Sequence, residues 1–165
     1  GNVVSSSATP LATVLVGVAV RKGMPKPDVS TTEAVKRLLL AAKSISYPDP
    51  ATGAAAGVGF TETLKKLGIY EQMQPKIKLG PAGGGAMSML AKGEVEIGFT
   101  FVSEMDNPGI DIVGPLPQEI ASPTSLVGFV STHAKDPKAA KALLDYLSST
   151  DASSVYKSVH MQPSR

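Results

Sequence analysis

Side chains able to do acid, base or nucleophilic chemistry are sparse in this chain and are not grouped. His133 and His160 are the two imidazoles among 165 residues. Each stands in a polar stretch near a predicted helix end, with no serine motif and no carboxylate at metal-ligand spacing, so both read as surface residues. Glu94, Glu96 and Glu104 lie close together in sequence. On a strand, however, Glu94 and Glu96 face one side and repel, which marks a solvated edge more often than an acid/base pair. The nucleophile-elbow pattern is missing. The run GPAGGGAM at 80–87 lacks the Lys-Ser/Thr pair with which a phosphate loop reaches terminal phosphates and magnesium. No catalytic residue, metal ligand or cofactor is predicted, and the chain reads as a non-enzyme. A hydrolase built on one of the histidines is the enzymatic alternative.

Binding chemistry is better represented. Residues 43–67, KSISYPDPATGAAAGVGFTETLKKL, read as a short strand that runs through Asp49-Pro50 into a helix with a small-residue first turn. Such a helix start leaves backbone N–H groups unpaired beyond the strand's carboxyl end, where small anions and polar ligands are commonly held. Thr52 and Gly53 sit where those donors are expected, and the small residues 54–57 let a ligand approach the backbone. The plain alternative is a strand-to-helix connection whose small residues serve packing alone. Gly83, Gly84 and Gly85 allow a second concavity of N–H groups at the next helix start, or else a flexible loop. The chain has no tryptophan and 5% aromatic residues, which argues against a sugar cleft lined by stacking platforms.

These segments are positioned by an alternation of strand and helix. Residues 14–20 are rich in β-branched side chains, as in a strand covered on both faces. Ser30 and Glu33 have capping-box spacing ahead of an amphipathic helix over 30–43. Strands follow at 43–47, 76–79, 95–102, 110–113 and 125–131. Between them lie a helix with Phe60, Leu64 and Leu67 on one stripe, ending at Gly68, and a helix through Met87 and Leu90. Two helices close the chain, one capped by Asp136 with Pro137 and one by Asp151. The class is α/β, a mixed sheet flanked by helices. We expect a flexible lead-in at 1–10, a crossing strand at 11–20, a ligand-binding lobe at 21–104, and return strands with C-terminal helices at 105–165.

Composition narrows the partners. An apolar content of 42% with 18% charged residues suits a globular domain, and a net charge of +2 spread over short Lys/Arg pairs gives no track for nucleic acid. The apolar run at 11–20 is too short to span a bilayer and lacks basic residues ahead of it. The absence of cysteine leaves the compartment open.

Residues 47–67 together with 89–104, MLAKGEVEIGFTFVSE, resemble the molybdate-type solute-binding proteins of ABC transporters, which have the type II periplasmic binding protein fold. Residues 15–27, LVGVAVRKGMPKP, and the later DPKAAKALLDYLSS are similar to that family too. The resemblance implies two α/β lobes closing over an oxyanion held by neutral donors, a periplasmic or extracellular location, and an ABC permease as partner. It places Ala56 and Gly83 as main-chain donors, with Thr52 and Gly53 shaping the helix start. Phe101 falls where molybdate binders carry a tyrosine whose hydroxyl touches the ligand. Phenylalanine donates nothing there, a loss on the order of 1 to 3 kcal/mol for an under-satisfied oxygen, so weak molybdate binding is expected. The family pattern also implies a first-lobe section ahead of the crossing strand, with two ligand-binding serines; Ser5, Ser6 and Ser7 do not correspond to them, and the first lobe is read as incomplete. A second copy of the chain could then complete the half-site as a homo-oligomer. An interaction module that kept the fold and lost its ligand is the alternative to solute capture.

Overall fold

A computed structural model describes all residues, Gly1–Arg165. In chain order the strands and helices are β1 (Thr9–Val14), β2 (Val16–Arg21), α1 (Thr32–Ala41), β3 (Ile45–Pro48), α2 (Ala55–Lys66), α3 (Tyr70–Met73) and β4 (Ile77–Gly80). They continue as α4 (Gly85–Ala91), β5 (Ile97–Phe101), β6 (Ile110–Pro115), β7 (Thr124–Gly128), α5 (Pro137–Leu147), α6 (Ser153–Ser158) and β8 (Gln162–Pro163). Two compact units result, one made of Gly1–Val14 with Thr124–Arg165 and the other of Leu15–Pro123. These bounds differ from the 21–104 lobe expected from sequence. The reason is hydrogen bonding: β2 pairs with β5 on one side and with β6 on the other, so β2 and β6 join the same sheet.

The Leu15–Pro123 unit is built on a five-stranded sheet in the order β4-β3-β5-β2-β6. Strands β4, β3 and β5 run parallel, while β2 runs antiparallel to β5 and β6 antiparallel to β2. Neighbouring residues of β5 show how the faces are covered. Phe99 stacks on Phe60 of α2, with ring centroids 4.1 Å apart. A Cβ at Gly98 would lie 2.7 Å from the Met87 Cε of α4. Because adjacent strand residues point to opposite faces, α2 and α4 cover opposite faces of the sheet. Strand β3 repeats the arrangement: Tyr47 meets Phe60 edge-on at 5.0 Å, and the Ser46 hydroxyl donates to the Ala86 carbonyl of α4 at 2.9 Å. A sheet buried on both faces accounts for the fully buried β3 and β5.

Local sequence sets most element ends, with three corrections. The α1 cap is Thr31, whose hydroxyl accepts from the Ala34 N–H at 3.1 Å, whereas the Ser30 hydroxyl donates to Asp28 at 2.6 Å. Glu94 and Glu96 precede β5 and share no strand; Glu96 accepts the Lys43 N–H at 2.7 Å. Asp151 lies in a 3-10 turn, Thr150–Ala152, and does not cap α6. Asp136 does cap α5 as expected, accepting from the Ala139 N–H at 3.0 Å, with Pro137 in the first turn.

In the other unit β1 lies between β7 and β8, antiparallel to both. Ala12, Val14, Val130, Leu144 and Ala152 form its buried apolar positions. The expected lead-in is tied down: the Val4 N–H donates to the Val130 carbonyl at 2.9 Å, and the Val130 N–H donates to the Ser7 hydroxyl at 2.8 Å. This unit also leaves Leu143, Tyr146 and Val155 more than half exposed. No helix of the chain is long and apolar enough to cross a membrane.

Candidate functional site

The connections of the parallel strands fix where a site can form. From β3 the chain leaves through α2 on one face, and from β4 it leaves through α4 on the other, so the carboxyl ends of β3 and β4 border a switch-point crevice. A cavity of about 210 Å³ occupies that place. Its wall is formed by Pro48 at the end of β3, by Ala54, Ala55 and Ala56 at the start of α2, and by Ala82, Gly83 and Gly84 after β4. Ala86 and Met87 of α4, Thr100 and Phe101 at the end of β5, and Glu104 in the following turn complete it.

Helix α2 brings its first turn unusually near the sheet. A Cβ at Gly57 would lie 1.9 Å from the Pro48 carbonyl oxygen, a separation no side chain tolerates, so glycine alone lets the turn sit there. Ala54, the N-cap residue, has no side-chain oxygen to offer. The first ladder bond is the one from the Val58 N–H to the Ala54 carbonyl at 3.0 Å. The N–H groups of Ala55, Ala56 and Gly57 are therefore left without ladder partners at the start of a twelve-residue helix, and Ala55 and Ala56 bring that start to the cavity with the positive end of the helix dipole behind it. After β4, Gly83 and Gly84 adopt φ of 75° and 93°, which turns the chain into α4.

The β5 end has the opposite character. Thr100 is 3% exposed and its hydroxyl donates to the Glu104 carboxylate at 2.8 Å. Glu104 is the one titratable side chain on the wall. Phe101, 6% exposed, contributes an apolar surface beside it. The cavity thus sets main-chain donors on one side against a side-chain acceptor pair on the other.

Of the residues singled out from sequence, Ala56, Gly83 and Phe101 come together on this wall, and Thr52 and Gly53 do not. Asp49 opens a 3-10 turn over Pro50–Thr52, and the Thr52 hydroxyl is spent on the Asp49 carbonyl at 2.7 Å. Gly53, at φ 79°, ends that turn, so α2 begins two residues later than the sequence suggested. Thr100 was missed, and Glu104 was set aside with Glu94 and Glu96. The available signal was their place at the end of an apolar parallel strand and in the turn after it, where α/β sheets hold ligands. Neither His133 nor His160 lines the cavity, and no group of three or more His, Cys, Asp or Glu is placed to hold a metal ion.

Comparison with known proteins agrees with this architecture. The family described as bacterial extracellular solute-binding protein matches residues 1–162. Aconitate isomerase from a Pseudomonas species is 34% identical over 165 residues, 99% of this chain and 61% of that protein. The molybdate-binding protein ModA of Azotobacter vinelandii is 31% identical over 118 residues, 70% of this chain and 46% of that protein. The chain therefore spans less than two thirds of the length of these curated relatives. Among solved structures, the periplasmic molybdate-binding protein of Azotobacter vinelandii superposes with a TM-score of 0.73 at 18% identity, covering 98% of this chain and 70% of the other. That likeness speaks for the fold, a periplasmic binding fold with mixed sheets flanked by helices. The match over 1–162 settles the family: the chain belongs to the bacterial extracellular solute-binding proteins.

Proposed function

We propose that the Leu15–Pro123 unit holds a small anionic or polar solute in the cavity at the start of α2, and that the protein delivers it to an ABC permease from the periplasmic or extracellular side. The observation that carries this reading is the uncapped α2 start opening on a wall of small and apolar residues whose polar side chains, Thr100 and Glu104, belong to the β5 end. Backbone donors there bind negative charge without introducing a counter-charge. Phe101, adding no donor, places molybdate among the weaker ligands.

A thermal-shift screen with molybdate, tungstate, sulfate, phosphate and small carboxylates tests the proposal, run beside light scattering to fix the oligomeric state. A ligand at a hundredfold excess over its Kd adds about 2.7 kcal/mol by linkage. Ala55→Leu, which adds bulk to the wall, should abolish the shift. A well-folded chain that no ligand stabilises would instead support an interaction module without a ligand.

A second reading is favoured by Glu104 and by the relative that bears the name aconitate isomerase. Aconitate is an unsaturated tricarboxylate, and moving its double bond requires a base to take an allylic proton from carbon and return one at the other end of the system. Glu104 is the wall group able to do so. Proton NMR of cis- and trans-aconitate with the chain in deuterated buffer decides the matter: interconversion lost in Glu104→Gln establishes it, and no interconversion or deuterium uptake removes it.

A further inference from the structure

We propose that Glu104 and Thr100 select among anions, admitting those that carry a hydrogen-bond donor of their own and rejecting fully deprotonated tetrahedral dianions. This rests on the reading that the cavity binds an anion at the α2 start, and it names the ligand class: hydrogen phosphate or a hydroxy acid, in preference to sulfate, molybdate or tungstate.

The inference follows from counting protons on the β5 side of the wall. A threonine hydroxyl has one proton, and that of Thr100 is committed to the Glu104 carboxylate at 2.8 Å. What the hydroxyl can still offer is lone pairs. An ionised carboxylate is acceptor-only, and Glu104 has more acceptor sites than the single Thr100 bond occupies. Phe101 beside them has neither donor nor acceptor. The polar side chains at the β5 end of the cavity therefore act as acceptors, while the α2 end offers the N–H groups of Ala55 and Ala56 as donors.

A ligand whose oxygens are all acceptors satisfies the α2 end and fails at the other. Its oxygens there meet lone pairs and a like charge, and since Glu104 is exposed, only intervening water can supply a proton. No Lys, Arg or His lines the cavity to offset the charge of Glu104. An anion with a hydroxyl or a retained proton turns the same contact into a charge-assisted hydrogen bond to Glu104. Polar groups left facing one another without a shared proton give sharper discrimination than a difference in size does.

Sulfate and hydrogen phosphate form the decisive pair, being tetrahedral, of similar size and, slightly above neutral pH, of nearly equal charge, and differing by one proton. Calorimetric titration of the 165-residue chain with both, and with succinate against malate, is the experiment. Phosphate and malate are expected to bind at least about tenfold more tightly than their partners. Glu104→Gln, which gives the wall an amide donor, should bring each pair to within about threefold, chiefly by tightening sulfate. Glu94→Gln removes an exposed carboxylate that does not line the cavity and should leave the ratios unchanged. Thr100→Val keeps the volume and should reduce the preference without reversing it.

Equal binding of sulfate and phosphate by the unaltered chain, abolished for both by Ala55→Leu, would overturn the selection while leaving anion binding at the cavity intact. A ratio that moves as far in Glu94→Gln as in Glu104→Gln would assign the effect to net charge and also overturn it. Binding of none of the four ligands would overturn both readings together.

Discussion

Replacing Gly57 by alanine tests whether the α2 start is held against the end of β3 as described. The new Cβ would lie 1.9 Å from the Pro48 carbonyl oxygen and 2.9 Å from its carbon, and both neighbours are backbone, which cannot swing aside as a side-chain tip can. Overpacking of this kind costs about 1 to 3 kcal/mol. Alanine in a helix interior returns about 0.5 to 1 kcal/mol over glycine. With backbone on both sides of the clash the loss prevails, giving a net destabilisation of about 1 to 2 kcal/mol. For a chain of this size that lowers the melting temperature by about 2 to 8 °C. Gly59, one half-turn on, supplies the control, since its Cβ would find nothing nearer than the Ser122 carbonyl oxygen at 3.7 Å. Gly59→Ala should therefore keep the propensity gain and raise the midpoint by about 1 to 4 °C. Thermal unfolding followed by circular dichroism reads both, and calorimetry on Gly57→Ala should show weakened anion binding because the donors shift with the turn. Equal midpoints for the two variants, or a stabilised Gly57→Ala with unaltered binding, would refute the close approach and the placement of donors that depends on it.

Capping distinguishes neighbouring hydroxyls: Thr31→Ala should lose about 1 kcal/mol in urea denaturation, and Ser30→Ala clearly less, because only Thr31 accepts an α1 N–H. Phe60→Ala, which empties a fully buried ring between Tyr47 and Phe99, should cost about 3 to 5 kcal/mol by the same assay. Burial raises the Tyr47 phenol above its ordinary value of 10.0, with the neighbouring Thr61 hydroxyl pulling the other way. The folded state thus holds that proton more tightly than the unfolded one. Its contribution is constant below the unfolded value and is lost as pH rises through the interval up to the folded one, so wild type minus Tyr47→Phe should decline only above about pH 10.

What could be read from the residues was whatever depends on near neighbours. Asp136 followed by Pro137 caps a helix in any context that lets the helix form, and α5 starts there. The apolar runs of β2 and β5 reported their own burial because both faces of the sheet are covered. Adjacent hydroxyls defeated the same reasoning at α1, where either Ser30 or Thr31 suits a cap and Asp28, two residues earlier, captures the first. At α2 the Asp49-Pro50 pair opened a 3-10 turn before the helix, which moved the free N–H groups from Thr52 and Gly53 to Ala55 and Ala56. Residues 1–8 show no periodicity, and their order comes from bonds to Val130 and Thr132, more than a hundred residues away. Glu104 was passed over for a related reason. A carboxylate in a turn is ordinary until β5 pairs with β3 and sets that turn beside the start of α2.

The two ends of the cavity differ in how they can change over evolution. Donors at the α2 end are main-chain N–H groups, so they persist under almost any substitution that preserves the helix and the Gly57 contact. Acceptors and apolar surface at the β5 end are side chains, and one codon alters each of Thr100, Phe101 and Glu104. On the proposed reading, anion binding is a property of the backbone, whereas the choice of anion belongs to three replaceable residues. A fold that can keep the first while varying the second is free to serve unlike solutes, which is why the fold of this chain says little about its ligand and the β5 end says more.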